Sequence, residues 1–105
     1  MDGADADGTH RVCSVEDIAD GDAVIEDVEG TTVAVVAVED DVYAIENVCP
    51  HQGGPIGEGK VEDGCIYCPW HGWQFDLATG EHVHGMGRAN TYPVSVEDGD
   101  VYVTL

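Results

Sequence analysis

Two short segments constrain this chain more than any other: Cys49-Pro50-His51 and, sixteen residues further on, Cys68-Pro69-Trp70-His71. Each supplies one thiol and one imidazole, the first as C-x-H and the second as C-x-x-H. Proline after each cysteine fixes a backbone φ and holds a tight loop. Gly53, Gly54 and Gly72 let the main chain approach a bound group closely. Two such loops can close around one small metal centre. Two thiolates and two imidazoles suit tetrahedral zinc. They also suit a two-iron, two-sulfide cluster in which two histidines replace two cysteines on one iron. The candidate metal ligands are therefore Cys49, His51, Cys68 and His71.

The remaining residues read as scaffold. A chain of 105 residues is one domain with one modest core. Met1 to Gly8 repeats Asp, Gly and Ala, has nothing to bury, and is expected to be a disordered acidic tail, leaving 9–105 as the folded domain. Strands are expected at His10–Ser14, Ala23–Asp27, Thr31–Glu39 and Val42–Glu46, with a single helical turn after Ser14 and a turn at Asp40-Asp41. Three short strands follow around the second Cys segment: Gly59–Glu62, Gly64–Tyr67 and Gln74–Asp76. Glu81–Ala89 reads as a loop. Thr91–Val96 and Asp100–Leu105 form a closing hairpin around Asp98-Gly99. The fold class is all-β: an antiparallel sandwich-like base with a small inserted metal-binding subdomain of about 47–75.

Composition bounds the partners. Twenty-two acids face Arg11, Lys60 and Arg88, a formal charge of −19. Nucleic acid and anionic membranes are excluded as partners by that charge. The acids are spread along the chain, which fits an acidic surface kept soluble in a halophilic cytoplasm better than one docking patch. They are absent from 47–57, 64–75 and 82–96, so the metal loops and a third loop are nearly uncharged. No apolar run approaches a membrane span and no signal peptide is evident, so a soluble, cytoplasmic protein is expected. Cys13 and Cys65 are then expected to be free, buried thiols, even though Cys65 and Cys68 together read C-x-x-C. His82 and His84 read as solvated loop residues or as neighbours of the metal opening. Trp70 is the better docking candidate and Trp73 the better packing one.

The run from Cys49 to Gly80, C-P-H-x16-C-P-W-H-G-W-x-F-D-x-x-T-G, resembles the signature of Rieske and Rieske-type ferredoxins. The resemblance extends over roughly Val12 to Leu105. It implies a [2Fe–2S] cluster with Cys49 and Cys68 on one iron and His51 and His71 on the other. With two ferric ions, two sulfides and two thiolates the oxidised centre carries no net charge, where four thiolates would give −2. It therefore accepts an electron more readily than an all-Cys cluster, and the electron resides on the His-ligated iron. High-potential members carry an extra Cys in each loop, and Ser and Tyr hydroxyls beside the cluster. Here those positions resemble Gly53 or Gly54 with Trp70, and Trp73 with Phe75. The missing disulfide and hydroxyls imply the low end of a range of roughly −150 to +300 mV. A third loop covers the cluster in the family, often with Pro; Gly85-Met86-Gly87-Arg88 stands there without one.

The implied function is one-electron transfer between a flavoprotein or ferredoxin reductase and a terminal oxygenase or other redox enzyme. The chain has no Gly-rich nucleotide fingerprint and no second catalytic site, so it is expected to be an electron-transfer component rather than an enzyme. Two alternatives stand beside this: a small subunit of a nitrite-reductase-like assembly, and a structural zinc module.

Overall fold

The computed structural model describes residues 9–39, 41–49, 53–70, 72–83 and 87–105. The proposed tail at 1–8, Asp40 of the 40–41 turn, and Pro50, His51, His71, His84, Gly85 and Met86 lie outside the described residues.

Three antiparallel sheets are built from ten strands among the described residues. In chain order these are β1 (Thr9–Ser14), β2 (Ala23–Val28), β3 (Thr31–Val38), β4 (Asp41–Glu46), β5 (Val61–Glu62), β6 (Cys65–Tyr67), β7 (Gln74–Asp76), β8 (Thr91–Tyr92), β9 (Val94–Glu97) and β10 (Asp100–Thr104). The sheet orders are β1-β10-β9, β2-β3-β4-β8 and β5-β6-β7. One 3-10 turn follows Ser14 at Val15–Asp17, where the Asp17 carboxylate accepts the Ser14 N–H at 3.1 Å. A second, at Ile56–Glu58, was not anticipated.

β3 explains how the layers stack. Its residues Val33 to Ala37 are all buried. Side chains alternate between the two faces of a strand. Val33, Val35 and Ala37 join Cys13, Ile18, Val101 and Val103 in a core between the first two sheets. Ala34 and Val36 join Ile45, Ile56, Ile66 and Phe75 in a second core that also contains Cys49 and Cys68. β4 divides the same way, Ala44 into the first core and Ile45 into the second. The β-branched run of β3 is thus the shared wall between the base and the metal side. This is why it reads as continuously apolar rather than alternating.

Three hairpin turns share one design. Glu29-Gly30, Asp63-Gly64 and Asp98-Gly99 place both central residues at positive φ, between 54° and 84°. That is the primed turn whose twist matches the flanking strands. The expected strand Thr91–Val96 is in fact two. Pro93 has no N–H to give a ladder; the chain leaves β4 there, and β9 joins β10 in the other sheet. The expected loop Glu81–Ala89 is also partly paired. Phe75 bridges His82 and Glu81 bridges Arg88, so these residues extend the third sheet beyond β7. No helix among the described residues is long and apolar enough to cross a membrane.

Candidate metal centre

Cys49 and Cys68 each end an antiparallel pair of main-chain segments, and the two tips are built alike. The Cys49 N–H donates to the Gly54 carbonyl at 2.9 Å, and the Gly53 N–H donates back to the Cys49 carbonyl at 2.7 Å. The Cys68 N–H donates to the Trp73 carbonyl at 2.7 Å, and the Gly72 N–H donates back to the Cys68 carbonyl at 2.9 Å. Each cysteine therefore bonds five residues ahead through its N–H and four ahead through its carbonyl. The fourth residue is glycine at positive φ in both cases, Gly53 at 77° and Gly72 at 72°. A side chain there meets no obstacle among the described residues, and the positive φ itself is what calls for glycine.

The tips face each other. A methyl group placed on Gly54 would lie 2.9 Å from the Cys68 Sγ and 3.0 Å from the Trp70 ring. Both cysteines are 2% exposed and share the second core. Cys13, Cys65 and Cys68 are free thiols.

The first loop is tied down by a residue that composition and spacing did not single out. Asn47 is buried, its Oδ1 accepts the Gly57 N–H at 2.6 Å, and its own N–H donates to the Thr32 carbonyl at 2.9 Å. It thus joins the metal loop to β3. The only sequence signal is its place at the border of an acid-free stretch. The Asp-x-x-Thr-Gly segment behind the second loop has a similar role: Asp76 Oδ1 accepts the N–H of Ala78 at 2.8 Å and caps the turn.

The two tryptophans divide as their surroundings dictate. Trp70 is 57% exposed at the tip. Trp73 packs against the second core and stacks on His82, ring centroids 4.2 Å apart and planes 5° from parallel. His82 is therefore packed rather than solvated. Cys65 lies buried on β6 and Cys13 buried in the first core, as expected of structural thiols. Burial pushes the Cys13 thiol pKa up; Glu26 and Asp17 add to this and Arg11 opposes it.

Of the four candidate ligands, two are brought to facing loop tips, and His51 and His71 lie outside the described residues. Among the described residues no three His, Cys, Asp or Glu side chains converge as a metal site. The donor chemistry nonetheless fits a cluster with thiolates on one iron: two buried sulfurs on matched loops, with glycine leaving room beside one of them.

Comparison with known proteins bears on the same residues. Residues 8–95 match the family model described as Rieske [2Fe-2S] domain. The ferredoxin component of a naphthalene 1,2-dioxygenase system from Pseudomonas putida is 35% identical over 94 residues, covering 88% of this chain and 90% of the relative. The ferredoxin component of an alkene monooxygenase system from Xanthobacter autotrophicus is 36% identical over 97 residues, covering 88% of this chain and 77% of the relative. The solved ferredoxin of carbazole 1,9a-dioxygenase from Nocardioides aromaticivorans superposes with a TM-score of 0.86 at 30% identity, covering 91% of this chain and 96% of that one.

Proposed function

Because the chain belongs to the Rieske [2Fe-2S] domain family, we propose that it carries single electrons between a reductase and a terminal oxygenase, with Cys49, His51, Cys68 and His71 as the ligands of its cluster. The observation that carries this reading is the equivalence of the two loop tips, each presenting a buried cysteine within the same pair of main-chain hydrogen bonds. The relatives of comparable length are named as ferredoxin components of oxygenase systems. A ferredoxin 30% identical to this chain, with a TM-score of 0.84, has been solved in complex with its oxygenase.

When bound, the cluster supplies reversible storage of one electron. The chain's own residues do the rest. The buried Cys49 and Cys68 would hold one iron. His51 and His71 would hold the other iron, and as uncharged ligands they would keep the centre's charge low. The segment of about 47–75 is the metal-binding unit. Pro69 stiffens the second tip, and Gly53 and Gly72 let both tips turn. Trp70 stands exposed within an acid-free stretch of sequence and gives a partner an apolar contact. Reducing equivalents from a nicotinamide cofactor would arrive through a separate flavoprotein or ferredoxin reductase. The protein works in the cytoplasm.

Electron paramagnetic resonance before and after dithionite tests the reading, with iron, sulfide and zinc counted on the same sample. A silent oxidised state that becomes a Rieske-type spectrum, with two irons and two sulfides per chain, is expected. One zinc per chain and no signal after anaerobic preparation would overturn it in favour of a structural zinc module. A small-subunit role is separated by co-purification with a large chain; the nitrite reductase small subunits among the solved structures share the fold at 23% and 24% identity.

A further inference from the structure

The Trp73–His82 stack does more than fill space. Trp73 is the residue that closes the second metal loop, since its carbonyl accepts the Cys68 N–H at 2.7 Å. Gly72, before it, takes a backbone conformation at φ 72° that few side chains would hold in place. The Trp73 ring is therefore the anchor of this end of the loop. His82 stacks on it at 4.2 Å, and Phe75 stands tilted against both rings, at 6.1 Å from Trp73 and 5.7 Å from His82. A methyl group on Gly87 would lie 3.0 Å from the Trp73 Cζ3.

Pairing puts His82 in that place. The Asp76 N–H donates to the Glu81 carbonyl at 2.9 Å and the Val83 N–H to the Gln74 carbonyl at 2.8 Å, which sets Phe75 opposite His82. Phe75 and Trp73 share a face of the chain, so His82 lies diagonal to Trp73, within reach of a flat ring. The His82 N–H also donates to the Gly87 carbonyl at 3.0 Å. One residue thus grips Trp73 of the second loop with its side chain and Gly87 with its main chain. Its Nδ1 is shielded from solvent.

We propose that His82 is a positioning residue for the metal centre: through its flat contact with Trp73 it ties the second loop to Gly87 and limits how closely water approaches the cluster. The inference rests on the electron-carrier reading above. A neutral oxidised centre becomes −1 on reduction, and water stabilises the charged state better than protein does. Loss of the clamp therefore raises the reduction potential. Outer contacts of this kind tune metal sites without ligating them.

The test compares wild-type holoprotein with His82→Ala and His82→Phe. Potentials are read by redox titration followed by paramagnetic resonance, and solvent approach by deuterium coupling to the reduced centre after transfer into D2O. His82→Ala is expected to raise the potential and strengthen the deuterium coupling; His82→Phe, which keeps a flat ring on Trp73, is expected to return both to wild-type values. Should His82→Ala fail to load iron, His82→Leu replaces it, keeping volume without a flat face. An Ala or Leu variant with wild-type potential and coupling overturns the inference, and so does a Phe variant that behaves like Ala. A wild-type protein without a Rieske signal removes the electron-carrier reading itself, and this inference with it.

Discussion

Gly54 lies against Cys68, so close that a methyl group on the one would stand 2.9 Å from the sulfur of the other. The first metal loop therefore sets the space available to the thiol of the second. Gly54→Ala should force the tips apart and lower iron content per chain, with a stability cost of about 1–3 kcal/mol typical of overpacking. Iron and sulfide counts beside thermal unfolding check this; a fully loaded variant of unchanged stability would refute the contact.

Trp70 gives the second prediction. It is 57% exposed within the acid-free stretch 64–75, while the chain as a whole is strongly acidic. At molar salt the Debye length is about 3 Å, so distant charge cannot guide a partner and short-range contact must. Trp70→Ala should slow electron delivery to the oxygenase about tenfold, with little change in potential. Stopped-flow oxidation of the reduced protein at high salt measures it; unchanged kinetics would reject a docking role.

Salt should also stabilise the fold itself. Against 22 acids, Arg11 pairs with Asp100 at 3.0 Å and Lys60 with Glu62 at 3.3 Å, both partly exposed. Most carboxylates therefore repel one another with no cation between them. The melting temperature should climb markedly between 0.1 M and about 2 M potassium chloride as this repulsion is screened. A melting temperature that is flat across that range would count against the halophilic reading.

Alkaline pH should act through Cys13. Burial and nearby carboxylates raise its folded-state pKa above the ordinary value of 9.0. Folding thus favours the neutral thiol. Its contribution is complete below about pH 9 and is lost as pH rises through the folded value. Tyr92 adds a similar decline from above its ordinary value of 10.0, raised by burial and then by Glu46. Cys13→Ala should be less stable at neutral pH yet decline less steeply between pH 9 and 11, as read by urea unfolding across the series. An unchanged slope would remove Cys13 from the linkage.

Much of this fold was legible because its signals are local. Asp63-Gly64 and Asp98-Gly99 announce primed turns, and the repeated Cys-Pro announces matched loops. What escaped depends on partners distant in sequence. Pro93 could be read as a strand defect, but not as the point where the chain changes sheets. Asn47 is a buried staple only because Gly57 and Thr32 come to it. His82 reads as either a solvated loop residue or a neighbour of the metal opening until Phe75 is found opposite it and Trp73 against its ring. Periodicity carries no information about such pairings.

The buried run of β3 has a consequence for engineering. Odd positions from Val33 to Ala37 serve the base and even positions serve the metal side. The two cores can therefore be redesigned separately, one parity at a time, provided the strand keeps its register. A slip of one residue would exchange the two sets at once, delivering Val35 to the thiols and Ala34 to the base. A single insertion in β3 should thus damage metal loading and folding together, though the strand contributes none of the four ligands.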